Sequence, residues 1–166
     1  TGSDASNNGV VAYSTDGINW TEVDVSSINT ERVQNVKYGG GTWVASMGNN
    51  GGPTIISNDA INWRTPTTSP SGYSKSHSYA RGVWINSGFD VYKSSDGGEN
   101  WTNVNNAGDG TGANVFGNGT WVVAGDRDDD GYFYSKDLGD TWTSFDPIEA
   151  DSSTGLYSII FSNDNF

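Results

Sequence analysis

Seven tryptophans fall into two interleaved series with a common period, and this periodicity constrains the chain more than any other feature. One series closes four related hydrophilic stretches, "STDGINW" (14–20), "SNDAINW" (57–63), "SSDGGENW" (94–101) and "SKDLGDTW" (135–142). Its members Trp20, Trp63, Trp101 and Trp142 stand 43, 38 and 41 residues apart. The other series follows glycine turns, in "GGGTWVAS", "ARGVWINS" and "GNGTWVVAG", and its members Trp43, Trp84 and Trp121 are 41 and 37 apart. No tryptophan lies outside the two series. A repeat near this length means one supersecondary unit copied along the chain, each copy needing a neighbour to cover its apolar face.

The unit reads as β. Between the tryptophan signatures lie short strand-like runs such as "RVQNVKY", "TGANVFG", "GVVAYS", "GYFYS", "WTEV" and "WTSF", bounded by Gly, Asn, Asp and Ser. The hydrophobic fraction is 33% while aromatics reach 13%, so burial leans on ring residues, which favour strands. The expectation is one all-β domain over 1–166, a β-propeller of four-stranded antiparallel blades with about four repeats of ~41 residues. The repeats run approximately 1–30, 31–72, 73–108 and 109–150. Residues 151–166 are expected to complete the blade begun by the N-terminus, because "IIFSNDNF" (159–166) aligns with "NVFGNGTW" (114–121) and "TGSDASNNGVVAYSTDGINW" runs like "AGDRDDDGYFYSKDLGDTW". The two ends would then share one blade, and four units would close into a ring or form part of a larger ring completed by further residues or a second chain.

Within each hydrophilic stretch the Ser and Asp side chains, Ser14 and Asp16, Ser57 and Asp59, Ser94 and Asp96, Ser135 and Asp137, are placed to accept hydrogen bonds from turn amides. Glycines such as Gly97 or Gly139 supply a positive φ, and the closing Trp packs between adjacent sheets. The motif Ser-x-Asp-x-Gly-x-x-Trp is complete in Ser94, Asp96, Gly98, Trp101 and in Ser135, Asp137, Gly139, Trp142. The other two copies are one residue shorter, with Ala60 where Gly17 stands. This motif resembles the Asp-box, or BNR repeat, of sialidases, sortilin-type receptor domains and many phage and bacterial propellers, and the resemblance covers most of the chain. It implies that these residues form a structural hairpin remote from any active site. Sialidase activity does not follow, because those enzymes need three arginines on the substrate carboxylate, a Tyr nucleophile with a Glu partner, and an Asp acid. The arginines here are Arg32, Arg64, Arg81 and Arg127, none in the Arg-Ile-Pro setting that precedes the first box of those enzymes.

Few residues remain for chemistry. Asp126, Asp128 and Asp130, followed by Gly131, have the alternate-carboxylate spacing of a calcium loop, and calcium is the one cofactor the sequence would suit. A solvated acidic hairpin is the competing reading, since Asp137, twelfth in that run, already belongs to a Ser-x-Asp hairpin. No catalytic residue is singled out. His77, the only histidine, lies in the polar run "TTSPSGYSKSHSYARG" and reads as a solvated loop residue, with a base or ligand as the alternative. The segment 65–82 is expected to be irregular and a contact region. The sequons at Asn19, Asn100 and Asn118 read as turn chemistry.

With 20 acidic and 8 basic residues the net charge is −12, which repels nucleic acid and anionic membrane. No apolar run approaches the ~18 residues of a membrane-spanning helix. Thr1 in place of an initiator Met reads as a processed or trimmed chain, and the absence of Cys excludes disulfides. The expected function is a non-catalytic binding or structural module of a virion or cell surface, hence extracellular, attached to carbohydrate or a protein partner through propeller loops and able to assemble into a larger complex. Two alternatives stand beside it. A glycoside hydrolase-like enzyme would need two facing, perturbed carboxylates, and a protein-binding assembly scaffold would show an exposed apolar patch.

Overall fold

The computed structural model describes residues 1–5, 8–48, 52–105, 111–125, 131–145 and 158–162. Among them there are strands and no helix, and the strands form four antiparallel sheets in chain order. The first sheet holds β1 (Gly2–Ser3), β2 (Gly9–Tyr13) and β3 (Thr21–Asp24); the second β4 (Val33–Gly39), β5 (Thr42–Met47) and β6 (Thr54–Ser57). The third holds β7 (Ser74–Ala80), β8 (Val83–Gly88), β9 (Val91–Ser94) and β10 (Thr102–Asn105); the fourth β11 (Thr111–Gly117), β12 (Thr120–Gly125), β13 (Tyr132–Ser135) and β14 (Thr143–Phe145). Each sheet is a simple meander, and none is closed.

The repeat extends to single turns. The hairpins β4–β5, β7–β8 and β11–β12 all close through two residues at positive φ: Gly40 and Gly41, Arg81 and Gly82, Asn118 and Gly119. Such turns match the twist of the flanking strands. The register also slips at the same place in all three hairpins, between Val33 and Asn35, Ser74 and Ser76, Thr111 and Ala113.

Only the third and fourth sheets have the four strands expected of every unit. In the second, the outer place is taken by a single bridge between Ile56 and Arg64, because the chain continues into "RTPTTSP", where Pro66 and Pro70 lack the amides a strand needs. In the first, β1 is two residues long and forms the edge, paired with β2 on one side only among the described residues. The segment 65–82 also departs from expectation. Its second half is β7, so the irregular part stops short of Ser74.

Three apolar clusters hold the sheets together, one at each boundary between consecutive sheets. Val11 and Val25 meet Val33, Met47 and Ile55 at the first. Val44 and Ile56 meet Trp84 and Trp101 at the second, and Ile85 and Val91 meet Trp121 and Val123 at the third. Strand β8 is buried along its whole length because it has a neighbouring sheet on each face. Strands β4, β7 and β11 lie side by side. Asn35 Nδ2 donates to the Lys75 carbonyl at 3.1 Å, and Asn114 Nδ2 donates to the Ser76 carbonyl at 3.1 Å and to Ser87 Oγ at 2.7 Å.

Ring-on-glycine contacts repeat across these strands. The Tyr79 ring lies on Gly39 and Gly40 so closely that a Cβ on either would overlap it, the Phe116 ring lies under the Arg81 guanidinium, and Phe161 lies on Gly117 as Tyr79 does on Gly39. Tyr38, Tyr79, Phe116 and Phe161 occupy equivalent repeat positions. Residues 158–162 therefore rest on the fourth sheet where the innermost strand of a next sheet would lie. No helix among the described residues is long and apolar enough to cross a membrane.

Candidate functional site

The four Ser-x-Asp hairpins are built alike. Ser94 Oγ donates to Asp96 Oδ1 at 2.8 Å and accepts the Gly98 amide at 3.0 Å, while Asp96 Oδ1 takes the Asn100 amide at 2.9 Å and Oδ2 takes Asn100 Nδ2 at 2.8 Å. Ser14, Asp16 and Asn19 repeat this, as do Ser57, Asp59 and Asn62, and Ser135 and Asp137 with Thr141 in the Asn place. Trp63, Trp101 and Trp142 each donate Nε1 to the carbonyl three residues earlier. The turn also needs positive φ, which Gly17, Gly97 and Gly98 take freely. Ala60 at 62° and Leu138 at 59° adopt it as well, a conformation the sequence does not announce.

These contacts fix the state of the carboxylates. Asp16 and Asp59 are held well below the usual carboxylate range, first by the amides of Asn19 and Asn62; Asp137 is held there first by the Thr141 hydroxyl. At Asp96 burial works in the opposite direction, and the Asn100 contacts outweigh it. Glu99 is lowered to about 2, chiefly by Arg64 and then by Thr67. Such groups are ionised acceptors at any ordinary pH. They cannot offer the proton a glycosidic oxygen requires.

Each hairpin after the first leans on the preceding sheet, and the residue two before the closing Trp makes a specific contact there. Glu99 pairs with Arg64 at 2.7 Å on the second sheet, and Asp140 pairs with Lys93 at 2.6 Å on the third. Ile61 instead shares a small cleft with Val23 of the first sheet. Trp101 is buried in this way, and Trp63 and Trp142 are half-buried. Trp20 departs from the expectation that every closing Trp is an anchor. It is 64% exposed and its neighbour Ile18 is 81% exposed, because among the described residues no sheet lies under the first hairpin.

Two further, larger clefts lie among the described residues. One, of about 620 Å³, lies between the first two sheets and is walled by Tyr13, Trp20, Tyr38, Trp43 and Trp63, with Asp59 at its rim. The Tyr38 and Trp43 rings stand 4.7 Å apart, and Tyr38 is more than half exposed. The other, of about 680 Å³, is an apolar groove on the fourth sheet lined by Val122, Tyr132, Tyr134, Phe145 and Ile160, with Lys136 alongside.

His77 is the clearest correction to the sequence reading. It lies in β7 and is fully buried, its ring 5.8 Å from that of Trp101. Asn86 Nδ2 donates to its Nε2 at 3.1 Å and Ser74 Oγ lies 3.3 Å from the same atom. Burial first, and Lys37 second, push its pKa down to about 3. Alternation in "YSKSHSYA" gave no warning, because it sets Lys75 on the same nominal face as His77, and the register slip between Ser74 and Ser76 is not visible in the sequence.

Asp126, Asp128 and Asp130 lie outside the described residues. Among the described residues no cluster of three His, Cys, Asp or Glu side chains is placed to hold a metal. Compared with protein families, the chain matches no family model, and no curated protein matches it.

Proposed function

We propose that this chain is a non-catalytic structural or attachment module of a virion or cell surface, built on an Asp-box propeller plan of about four ~41-residue blades in which β1–β3 and residues 158–162 are complementary parts of one blade. The observation that carries the reading is the pair of open, ring-lined clefts beside hairpins whose carboxylates are locked into turn hydrogen bonds. Surfaces of that kind hold partners by burying rings, with Asn and Asp at the rim for orientation. The first reading is a protein partner, because the fourth-sheet groove is mainly apolar, with Lys136 and the tyrosine hydroxyls among its polar groups. Carbohydrate is the second, favoured by the exposed Tyr38–Trp43 ring pair with Asp59 nearby.

A glycan array, probed in calcium and then in chelator and assayed for released sugar, tests this. Selective retention lost in Trp43→Ala makes the module a lectin, and loss on chelation assigns calcium to Asp126, Asp128 and Asp130. A blank array leaves the protein partner. Released sugar would overturn the non-catalytic reading altogether.

A further inference from the structure

We infer that copies of this chain associate head to tail, the first hairpin (Ser14–Trp20) of one copy seating in the fourth-sheet groove of the next. This rests on the reading of the chain as a contact module and names its protein partner.

The argument begins with an interface the chain builds three times. Gly98 of the third hairpin approaches Val44 and Ile56 of the second sheet, and Gly139 of the fourth hairpin approaches Ile85 and Lys93 of the third. In repeat register, Val44 and Ile85 correspond to Val122, and Ile56 and Lys93 to Tyr134. The fourth sheet thus carries the same seat, and that seat is open. The first hairpin carries the same knob, and around Gly17 no atom would meet an added Cβ.

Knob and seat also match in polarity. Acidic hairpins meet a base, as Glu99 meets Arg64 and Asp140 meets Lys93. The isoleucine hairpin at Ile61 meets Val23, whose counterpart on the fourth sheet is Phe145. Ile18 is the remaining isoleucine hairpin, and the remaining seat is lined by Tyr134 and Phe145, with Lys136 over the Tyr134 ring at 5.7 Å.

The second cleft falls to the same contact. Tyr38 occupies the position from which Tyr79 covers Gly39, yet the first sheet has no inner strand for it to cover. Residues 158–162 of the neighbouring copy, already resting on that copy's fourth sheet, would lie there and offer Ser162, the counterpart of Gly39. One association therefore covers Ile18, Trp20, Tyr38 and Ile160, four of the six large apolar side chains exposed among the described residues. Among the described residues of one molecule the knob is bare and the seat is open, and a second copy supplies the counterpart of each. The contact is heterologous and gives rings or open chains.

Sedimentation velocity and native mass spectrometry on the 166-residue chain test this. The expected result is association that grows with concentration and strengthens in about 0.5 M salt, which screens the repulsion between acidic copies. Ile18→Asp, which disables the knob, and Tyr134→Asp, which disables the seat, should each weaken association at least tenfold with little change in melting temperature. An equimolar mixture of the two variants retains one intact contact and should stop at dimers. A wild-type chain that stays monomeric, or association indifferent to both substitutions, overturns the inference. A monomer that still binds the array overturns it while leaving the attachment reading in place, and sugar release would overturn that reading independently.

Discussion

Acidification from about pH 7.5 to about pH 4.5 should destabilise the fold through one residue. His77 is buried with its Nε2 facing the Asn86 amide hydrogens, so a second ring proton would point at a donor in a dry site. Its pKa falls from the ordinary 6.5 to about 3 on folding. Between those values the unfolded chain holds a proton that the folded chain does not. Stability is therefore full above the unfolded value and declines as pH falls, by about 1.4 kcal/mol per unit once well below it. Over the stated span the loss is about 2.6 kcal/mol, and it hardly changes if the folded value is a unit higher, because the unfolded value opens the window. The lowered carboxylates enter only at the foot of the span, Glu99 losing its contribution as pH falls through its ordinary 4.5 and the hairpin aspartates from near 3.8 downward.

For a chain of this length that loss should lower the melting temperature by roughly 5 to 10 °C. Calorimetry across the span measures it, and His77→Gln should flatten the dependence. Should that variant fail to fold, NMR of the His77 ring in the wild type gives the same answer. A melting temperature constant over the span, or a ring titrating near its ordinary value in the folded protein, would refute the reasoning.

Four substitutions probe the repeat in urea titrations. Trp101→Ala, which empties a buried seat between sheets, should cost about 3–5 kcal/mol, whereas Trp20→Ala in dilute solution should cost less than about 1 kcal/mol; equal losses would mean that the first hairpin is already seated. Ser94→Ala leaves the buried Gly98 amide without its acceptor and should cost about 1–3 kcal/mol, so a neutral result would remove the hairpin serine from the stability argument. Ala60→Gly relieves a positive φ and should stabilise by about 0.5 kcal/mol; a clear loss would show that the Ala60 methyl packs too well to give up.

The all-β class and the positions of most strands were legible because turn residues and tryptophans recur at nearly fixed intervals, and each recurrence marks the same hairpin. The outer strand of the second sheet was less so, since Pro66 and Pro70 follow an unbroken repeat signature at Trp63 and cancel only the strand after it. His77 was misread because serines flank it. Small polar residues suggest a loop, but on β7 they can face a neighbouring strand and satisfy its carbonyls, as Ser78 does with Asn114. The two clefts left no local signal, since each is made where one sheet lacks a neighbour. Only the register between repeats reveals them.

The position two before each closing Trp explains how near-identical hairpins can be told apart. Four copies of one knob and four copies of one seat would allow any hairpin to sit on any sheet, and a repeat chain so built would misassemble. Here the third and fourth hairpins carry Glu99 and Asp140 and meet Arg64 and Lys93, while the other two carry Ile61 and Ile18. The ion pairs contribute little stability of their own, because both are partly exposed. Their effect is on choice of partner: an isoleucine set against Lys93 would strip water from the ammonium without compensation, and an acid set against Val23 would lose its own. The acidic hairpins are thus committed to the second and third sheets, where Arg64 and Lys93 receive them. The isoleucine hairpins are left to the first and fourth sheets, and linkage through the short chain between Trp20 and Val33 assigns the second hairpin to the first sheet. The first hairpin is then matched to a fourth sheet.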